Sequence, residues 1–333
     1  MRSRTEETGA TRGEGRRVDN NAVRLEVQVV GRVDLAVDVL GLGLRRTDGE
    51  DFPVTHAGAH LRLHLASGLE RNYSLVGVPG RHQRLDIAVQ LAADSRGGSK
   101  EVFGLHEGDT LHVGLPPNSF ELADDEEDYL LLAGGIGITP IWSMIQHLEA
   151  TERSWRLHYA AGSEARAAFL NELCALEAAR PRRVHLAFSD AGDRLDLAAL
   201  SASAGPRTGV YCCGPHRFVS AFRDAAGDLA ERAHVEDFTP AEVAAGGFDV
   251  ELATSGLTLF VPDGSSILDV VLEAGLEPDY SCMSGTCGSC ETTVLSGVPE
   301  HRDLVLGEQE REANTSMMIC CSGCRSGPLV LDL

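Results

Sequence analysis

The chain has 333 residues, 43% hydrophobic and 24% charged, enough for two or three cores. No apolar run nears the ~18–20 residues that a membrane span needs, so no membrane partner is expected. A net charge of -21 with one lysine, Lys100, disfavours a nucleic-acid surface, which needs clustered cations.

Nine cysteines, an odd number, follow a start, MRSRTEETGATRGEGRRVDNN, that has charges but no apolar leader. Metal binding in a cytoplasmic protein fits this better than a disulfide framework. Residues 1–21 read as a disordered tail. Over 22–127, short β-type runs such as RLEVQVV and LRLHLAS are broken by GLGL, VPGR and SRGGS, which predicts a small antiparallel β-barrel. The acidic run DDEED, Asp124 to Asp128, closes it.

Over 128–240 the pattern alternates. YLLLAGGIGITPIWSMIQHLEA turns from an apolar strand into a helix starting near Pro140, WRLHYAA is a strand and ARAAFLNELCALEAA a helix, and VHLAFS and GVYCCGP are further strands. Such alternation predicts an α/β unit with a parallel sheet covered on both faces. A linker at 241–247 leads to a third unit, 248–333. There FDVELATSGLTLFVPDGSSILDVVLEAGL reads as a hairpin and a helix, and LVLDL as the last strand.

Between helix and last strand lies SCMSGTCGSC. It sets Cys282, Cys287 and Cys290 at C-x4-C-x2-C, and Cys320 follows after 29 residues. That is the spacing of plant-type [2Fe-2S] ferredoxins, where four thiolates fill the coordination of two irons and leave only one-electron transfer. A zinc site is the competing reading, but zinc cysteines usually come as two short knuckles rather than three in one loop. Cys321 and Cys324 crowd the fourth position. Spacing favours Cys320 as ligand, with Cys321 a packed thiol and Cys324 a surface one.

Two glycine-rich stretches end apolar strands. One holds Gly134, Gly135 and Gly137 ahead of a helix, the other Cys213, Gly214 and Pro215. At the carboxyl edge of one sheet they would offer backbone N–H groups to an anionic ligand, although each alone also suits an ordinary tight turn. In the barrel, RNYSL (71–75) and SRGGS (95–99) suggest a second phosphate-bearing cofactor, with a strand end and a plain turn as the bland alternatives.

In this order the motifs resemble the phthalate dioxygenase reductase family: GAH at 58–60, R-x-Y-S at 71–74, RGGS at 96–99, GGIGITP, CGP, HVEDF at 234–238 and the four cysteines. The resemblance implies a flavin barrel, a ferredoxin-reductase-like NAD domain and a C-terminal β-grasp ferredoxin. It implies FMN held by Arg71, Tyr73 and Ser74, with Arg71, Arg96, Gly97, Gly98 and Ser99 at the phosphate and Ile87, Ala88 and Val89 beside the ring. It further implies NADH held by Gly135, Gly137, Thr139, Cys213, Gly214 and Pro215. Ser74 and Phe238 fall at the reacting flavin, Phe238 as the aromatic cover or else an interdomain packing residue.

Gly162 stands where relatives often carry a cation, which favours NADH over NADPH unless Arg166 substitutes for it. A flavin can take two electrons as hydride and release them singly, so it belongs between nicotinamide and cluster. The expected partner is an oxygenase component, Rieske-type or alternatively a cytochrome P450, and the expected state is a monomer. A non-enzymatic iron-sulfur adaptor is the reading from another class.

Overall fold

The computed structural model describes residues 23–92, 97–238, 247–280, 283–303 and 305–333. The expected tail, most of the linker, Arg96 and Cys282 lie outside them. Three sheets follow one another along the chain, and among the described residues no helix is long and apolar enough to cross a membrane.

The first sheet contains β1 (Leu25–Ala36), β2 (Val39–Arg46), β3 (His60–His64), β4 (Glu70–Ser74), β5 (Arg84–Gln90) and β6 (Thr110–Val113), in the order β4-β3-β6-β1-β2-β5. Its ladders are antiparallel. The bridge from Leu75 to Ile87, just past β4 and within β5, joins the two ends of that order and closes the barrel. Val27, Leu42, Leu61, Leu63 and Ile87 fill its interior. Within the described end of SRGGS, Gly98 already opens a short helix, Gly98–Phe103, with Val102 in the barrel core.

The second sheet contains β7 (Asp128–Gly134), β8 (Ser154–Ala161), β9 (Val184–Phe188), β10 (Thr208–Gly214) and β11 (His234–Asp237), all parallel in the order β11-β10-β7-β8-β9. The period of two in β7 separates its faces. Leu131 and Ala133 join the core under the helix Ile138–Ala150, while Leu130 and Leu132 join the core with Val219 and Phe222 of the helix His216–Ala226.

One helix begins later than its pattern predicts. Residues 164–166 form a single 3-10 turn whose Ala165 carbonyl accepts from Val37 N–H at 2.8 Å, and Phe169 takes φ 59° with its ring stacked on Trp142 at 5.2 Å. Docking on the barrel and on the neighbouring helix thus delays the helix to Leu170–Ala179.

The third sheet contains β12 (Phe248–Leu252), β13 (Leu257–Val261), β14 (Glu291–Glu300), β15 (Ser316–Met318) and β16 (Gly323–Leu331), in the order β13-β12-β16-β14-β15. β12 and β13 form the expected hairpin, and β16 lies parallel to β12 at the sheet centre. The helix Ile267–Glu273 starts at a capping box, in which Ser266 Oγ accepts from Asp269 N–H and Asp269 accepts from Ser266 N–H.

Candidate cofactor sites

On β4 the side chains alternate, Arg71 and Tyr73 on one face, Glu70, Asn72 and Ser74 on the other. Arg71 lies over the start of the Gly98–Phe103 helix, where a Cβ on Gly98 would stand 2.7 Å from its Cγ and Nε. The Arg71 side chain thus packs along Gly98, with its Nη1 donating to the Glu70 carbonyl at 2.7 Å. Ser99 Oγ accepts from Ala92 N–H at 3.2 Å, tying the loop to the end of β5. Burial pushes the Tyr73 hydroxyl up to about 12 against the opposing pull of Arg71, so it stays a donor. Ser74 is buried opposite His60, and Ile87, Ala88 and Val89 are buried on β5 opposite Leu42, Gly41 and Leu40.

β7 and β10 are neighbours, and their carboxyl ends bring the two glycine turns into contact. After β7 comes a 3-10 turn, Gly135–Gly137, and then the helix, two residues before the expected Pro140. A Cβ added at Gly137 would fall on the Cys213 carbonyl and 2.6 Å from Gly214 N. Thr139, buried, donates to the Ile136 carbonyl at 3.0 Å and braces the turn. Burial, and then the Glu236 carboxylate 3.9 Å from its Sγ, raise the Cys213 thiol well above its ordinary range. Cys213 therefore stays a neutral thiol. Phe238 N–H donates to the Gly214 carbonyl at 3.4 Å, and its half-buried ring packs against the core that contains Val39, Ala57 and Ala88 of the barrel with Ile138 of the nucleotide turn.

In the third unit Cys290 and Cys320 are 5% exposed and share one core, and Ile319 N–H donates to the Cys290 carbonyl at 3.3 Å. Cys287 is half-buried, with its Sγ 3.3 Å from Ser289 Oγ. The loop is wound by positive φ at Met283 (55°), Gly285 (73°) and Gly288 (77°), and Gly285 also lets the Cys321 sulfur approach, since a Cβ there would be 2.6 Å from it. Cys321 is fully buried, its Sγ 3.7 Å from the Met318 carbonyl, and Cys324 donates to the Gly327 carbonyl at 3.2 Å. No disulfide links the described cysteines.

The family described as "2Fe-2S iron-sulfur cluster binding domain" matches residues 250–325, and "Oxidoreductase NAD-binding domain" matches 131–224. The phenoxybenzoate dioxygenase subunit beta of Ectopseudomonas oleovorans is 45% identical, covering 90% of this chain and 94% of its own length. The solved structure of phthalate dioxygenase reductase, described as modular for electron transfer from pyridine nucleotides to [2Fe-2S], superposes with a TM-score of 0.78 at 35% identity over 94% of this chain and 99% of that one. The chain belongs to the phthalate dioxygenase reductase family. Within that family it is an oxidoreductase with a flavin barrel, an NAD-binding α/β domain and a β-grasp ferredoxin domain, and its cofactors are FMN, NADH and [2Fe-2S]. A further similarity, TM-score 0.74 at 35% identity, is to an intact type IV self-sufficient cytochrome P450 monooxygenase, over 98% of this chain and 43% of that one.

The reductase also carries groups at these sites that sequence reasoning did not single out. Asp237, 3% exposed, sits 2.8 Å from His216 Nδ1 beside Pro215 and Phe238, and Glu236 lies under Cys213. Both acids belong to the HVEDF motif, which was the available signal. The Tyr280 contacts with the barrel had none. Arg166, the cation that would favour NADPH, pairs with Asp38 of the barrel at 3.0 Å.

Proposed function

We propose that this reductase passes electrons from NADH through FMN and its [2Fe-2S] centre to a Rieske-type non-haem iron oxygenase, working as a cytoplasmic monomer. The observation that carries the reading is the single apolar core joining Ala88 on the proposed flavin strand to Ile138 of the nucleotide turn, with Phe238 packed against it. The proposed flavin strand and the proposed nucleotide turn thus share one core, which supports direct transfer between them. When bound, FMN accepts hydride from NADH and yields electrons one at a time to the cluster.

The chain's own residues do the positioning. Arg71, with Arg96, Gly97, Gly98 and Ser99, holds the flavin phosphate. Tyr73, Ser74 and the backbone of Ile87, Ala88 and Val89 hold the ring. Gly135, Gly137, Thr139, Cys213, Gly214 and Pro215 would seat the nucleotide, and Phe238 would cover the flavin ring. Cys282, Cys287, Cys290 and Cys320 ligate the irons, and burial of Cys290 and Cys320 fits thiolates shielded by a cluster. The three units run over 22–127, 128–240 and 248–333.

The similar dioxygenase subunit and dioxygenase reductase support the Rieske-type partner. Anaerobic titration with NADH should bleach the flavin and then reduce the cluster, and the protein should sustain product formation by a Rieske-type oxygenase. Faster delivery to a cytochrome P450 than to any such oxygenase would overturn the choice of partner, and a colourless protein the whole reading.

A further inference from the structure

The third unit touches the barrel through a small polar group beside the cysteine loop. Tyr280 stands two residues before Cys282. Its hydroxyl donates to Glu70 Oε2 at 3.2 Å, and the Arg62 guanidinium lies over its ring, 4.2 Å from the centroid. Glu70 also pairs with His64 Nδ1 at 2.7 Å and with Arg24 at 3.7 Å. In the β3–β4 ladder Arg62 lies opposite Asn72 and His64 opposite Glu70, so Arg62, His64 and Glu70 share one face of the hairpin. Arg71 is the next residue on β4, on the other face, against Gly98.

One strand therefore presents the cation proposed for the flavin phosphate on one side and a receptor for the cysteine loop on the other. Arg62 is 4% exposed, so its attraction to the ring is little weakened by water. The Tyr280–Glu70 hydrogen bond has a charged acceptor but is long at 3.2 Å, with His64 closer to the same carboxylate at 2.7 Å, so hydroxyl and ring contact together make the attachment.

We propose that Tyr280, Glu70 and Arg62 form a latch, a set of positioning residues that holds the cysteine loop against the flavin strand while the electron passes. The inference rests on the electron path proposed above. In the step concerned, one electron leaves reduced flavin and one ferric iron of the cluster becomes ferrous, with no heavy-atom bond made or broken. A loop that lifts off β4 would lengthen that jump, whereas hydride transfer from NADH, whose proposed site lies on the turns after β7 and β10, would be untouched.

The test uses cofactor-loaded full-length protein mixed with NADH in a stopped-flow instrument, following flavin bleaching and cluster reduction separately. In Tyr280→Ala, bleaching should stay within about twofold of wild type while cluster reduction slows about tenfold, the scale of one lost charge-assisted hydrogen bond. Tyr280→Phe, which keeps a ring under Arg62, should fall between. Glu70→Gln, whose amide oxygen can still accept the hydroxyl, should recover most of the rate that Glu70→Ala loses.

Amide exchange of segments 66–74 and 276–280 should rise in Tyr280→Ala, with the cluster's EPR g-values and midpoint potential unchanged. Wild-type cluster reduction and exchange in Tyr280→Ala would refute the latch. So would a shifted potential, which would mean that Tyr280 acts on the cluster itself. If NADH does not reduce the wild-type cluster, the electron path fails, and the exchange measurement still decides whether the latch exists.

Discussion

Replacing Gly137 by alanine isolates the contact between the two nucleotide turns. Gly137 has φ -60° and ψ -5°, a conformation that alanine adopts freely, so the substitution adds no backbone strain. The methyl group meets the Cys213 carbonyl and, at 2.6 Å, Gly214 N. These are backbone atoms at the end of a central strand and cannot rotate away. Overpacking of this kind costs roughly 1–3 kcal/mol. If the turns part to relieve it, the cost falls on nucleotide binding, and the KM for NADH with ferricyanide as acceptor should rise about 5- to 150-fold. If they hold, it falls on stability, at roughly 4 °C of Tm per kcal/mol for a unit of this size. Gly135→Ala is the comparison. Its methyl meets nothing within 4 Å, but its φ of +54° adds about 1–2 kcal/mol of left-handed strain. Calorimetry and NADH kinetics on both variants read the two outcomes, and cluster EPR should not change in either. A Gly137→Ala protein with unaltered KM and unaltered Tm would refute the claim that turn-to-turn contact builds the site.

Cys320→Ser should abolish or badly distort the EPR signal of dithionite-reduced protein while Cys321→Ser leaves it intact, and the reverse would reassign the ligand. Asp38→Asn should free Arg166 and raise kcat/KM with NADPH, whereas the intact protein should prefer NADH; an unchanged ratio would exclude Arg166 from the nucleotide site. His158 is depressed to about 4 by burial, with His185 and Arg156 adding repulsion. The folded chain thus binds this proton less readily than the unfolded one, so stability falls as pH drops from 6.5 toward 4, and His158→Gln should flatten that part of a Tm-against-pH curve. Fourteen acids against three arginines in residues 248–333 give a net -11, so electron delivery to the oxygenase should slow with salt while NADH-to-ferricyanide turnover changes less. A chain ending at Gly247 should keep ferricyanide reduction and lose delivery to the oxygenase.

Much of this was legible because the carriers are local. The continuous apolar run of YLLLAG, the glycines of GGIGITP and the C-x4-C-x2-C triplet each fix their geometry within ten residues. What escaped depends on distant pairs. Phe169 delays its helix because Val37 and Trp142 pin the preceding segment, and neither contact leaves a trace in local periodicity. Tyr280 reads as a plain aromatic until Glu70, 210 positions earlier, comes within 3.2 Å of it. Asp237 and Glu236 stood inside a visible motif, but their work beside His216 and Cys213 becomes apparent only once β11 lies next to β10.

The placing of β16 bears on how the molecule is made. The barrel strands have all left the ribosome by Val113 and the nucleotide strands by Asp237, so both can close while synthesis continues. The third sheet has to wait for β16, which emerges after its other four strands and threads between β12 and β14 at residues 323–331. Flavin can be loaded early, but iron must come late, after Cys320 has been translated and β16 has docked. Clipping a few residues from Leu329–Leu331 would remove the middle of the sheet rather than its edge, leaving a yellow protein that holds flavin and no cluster.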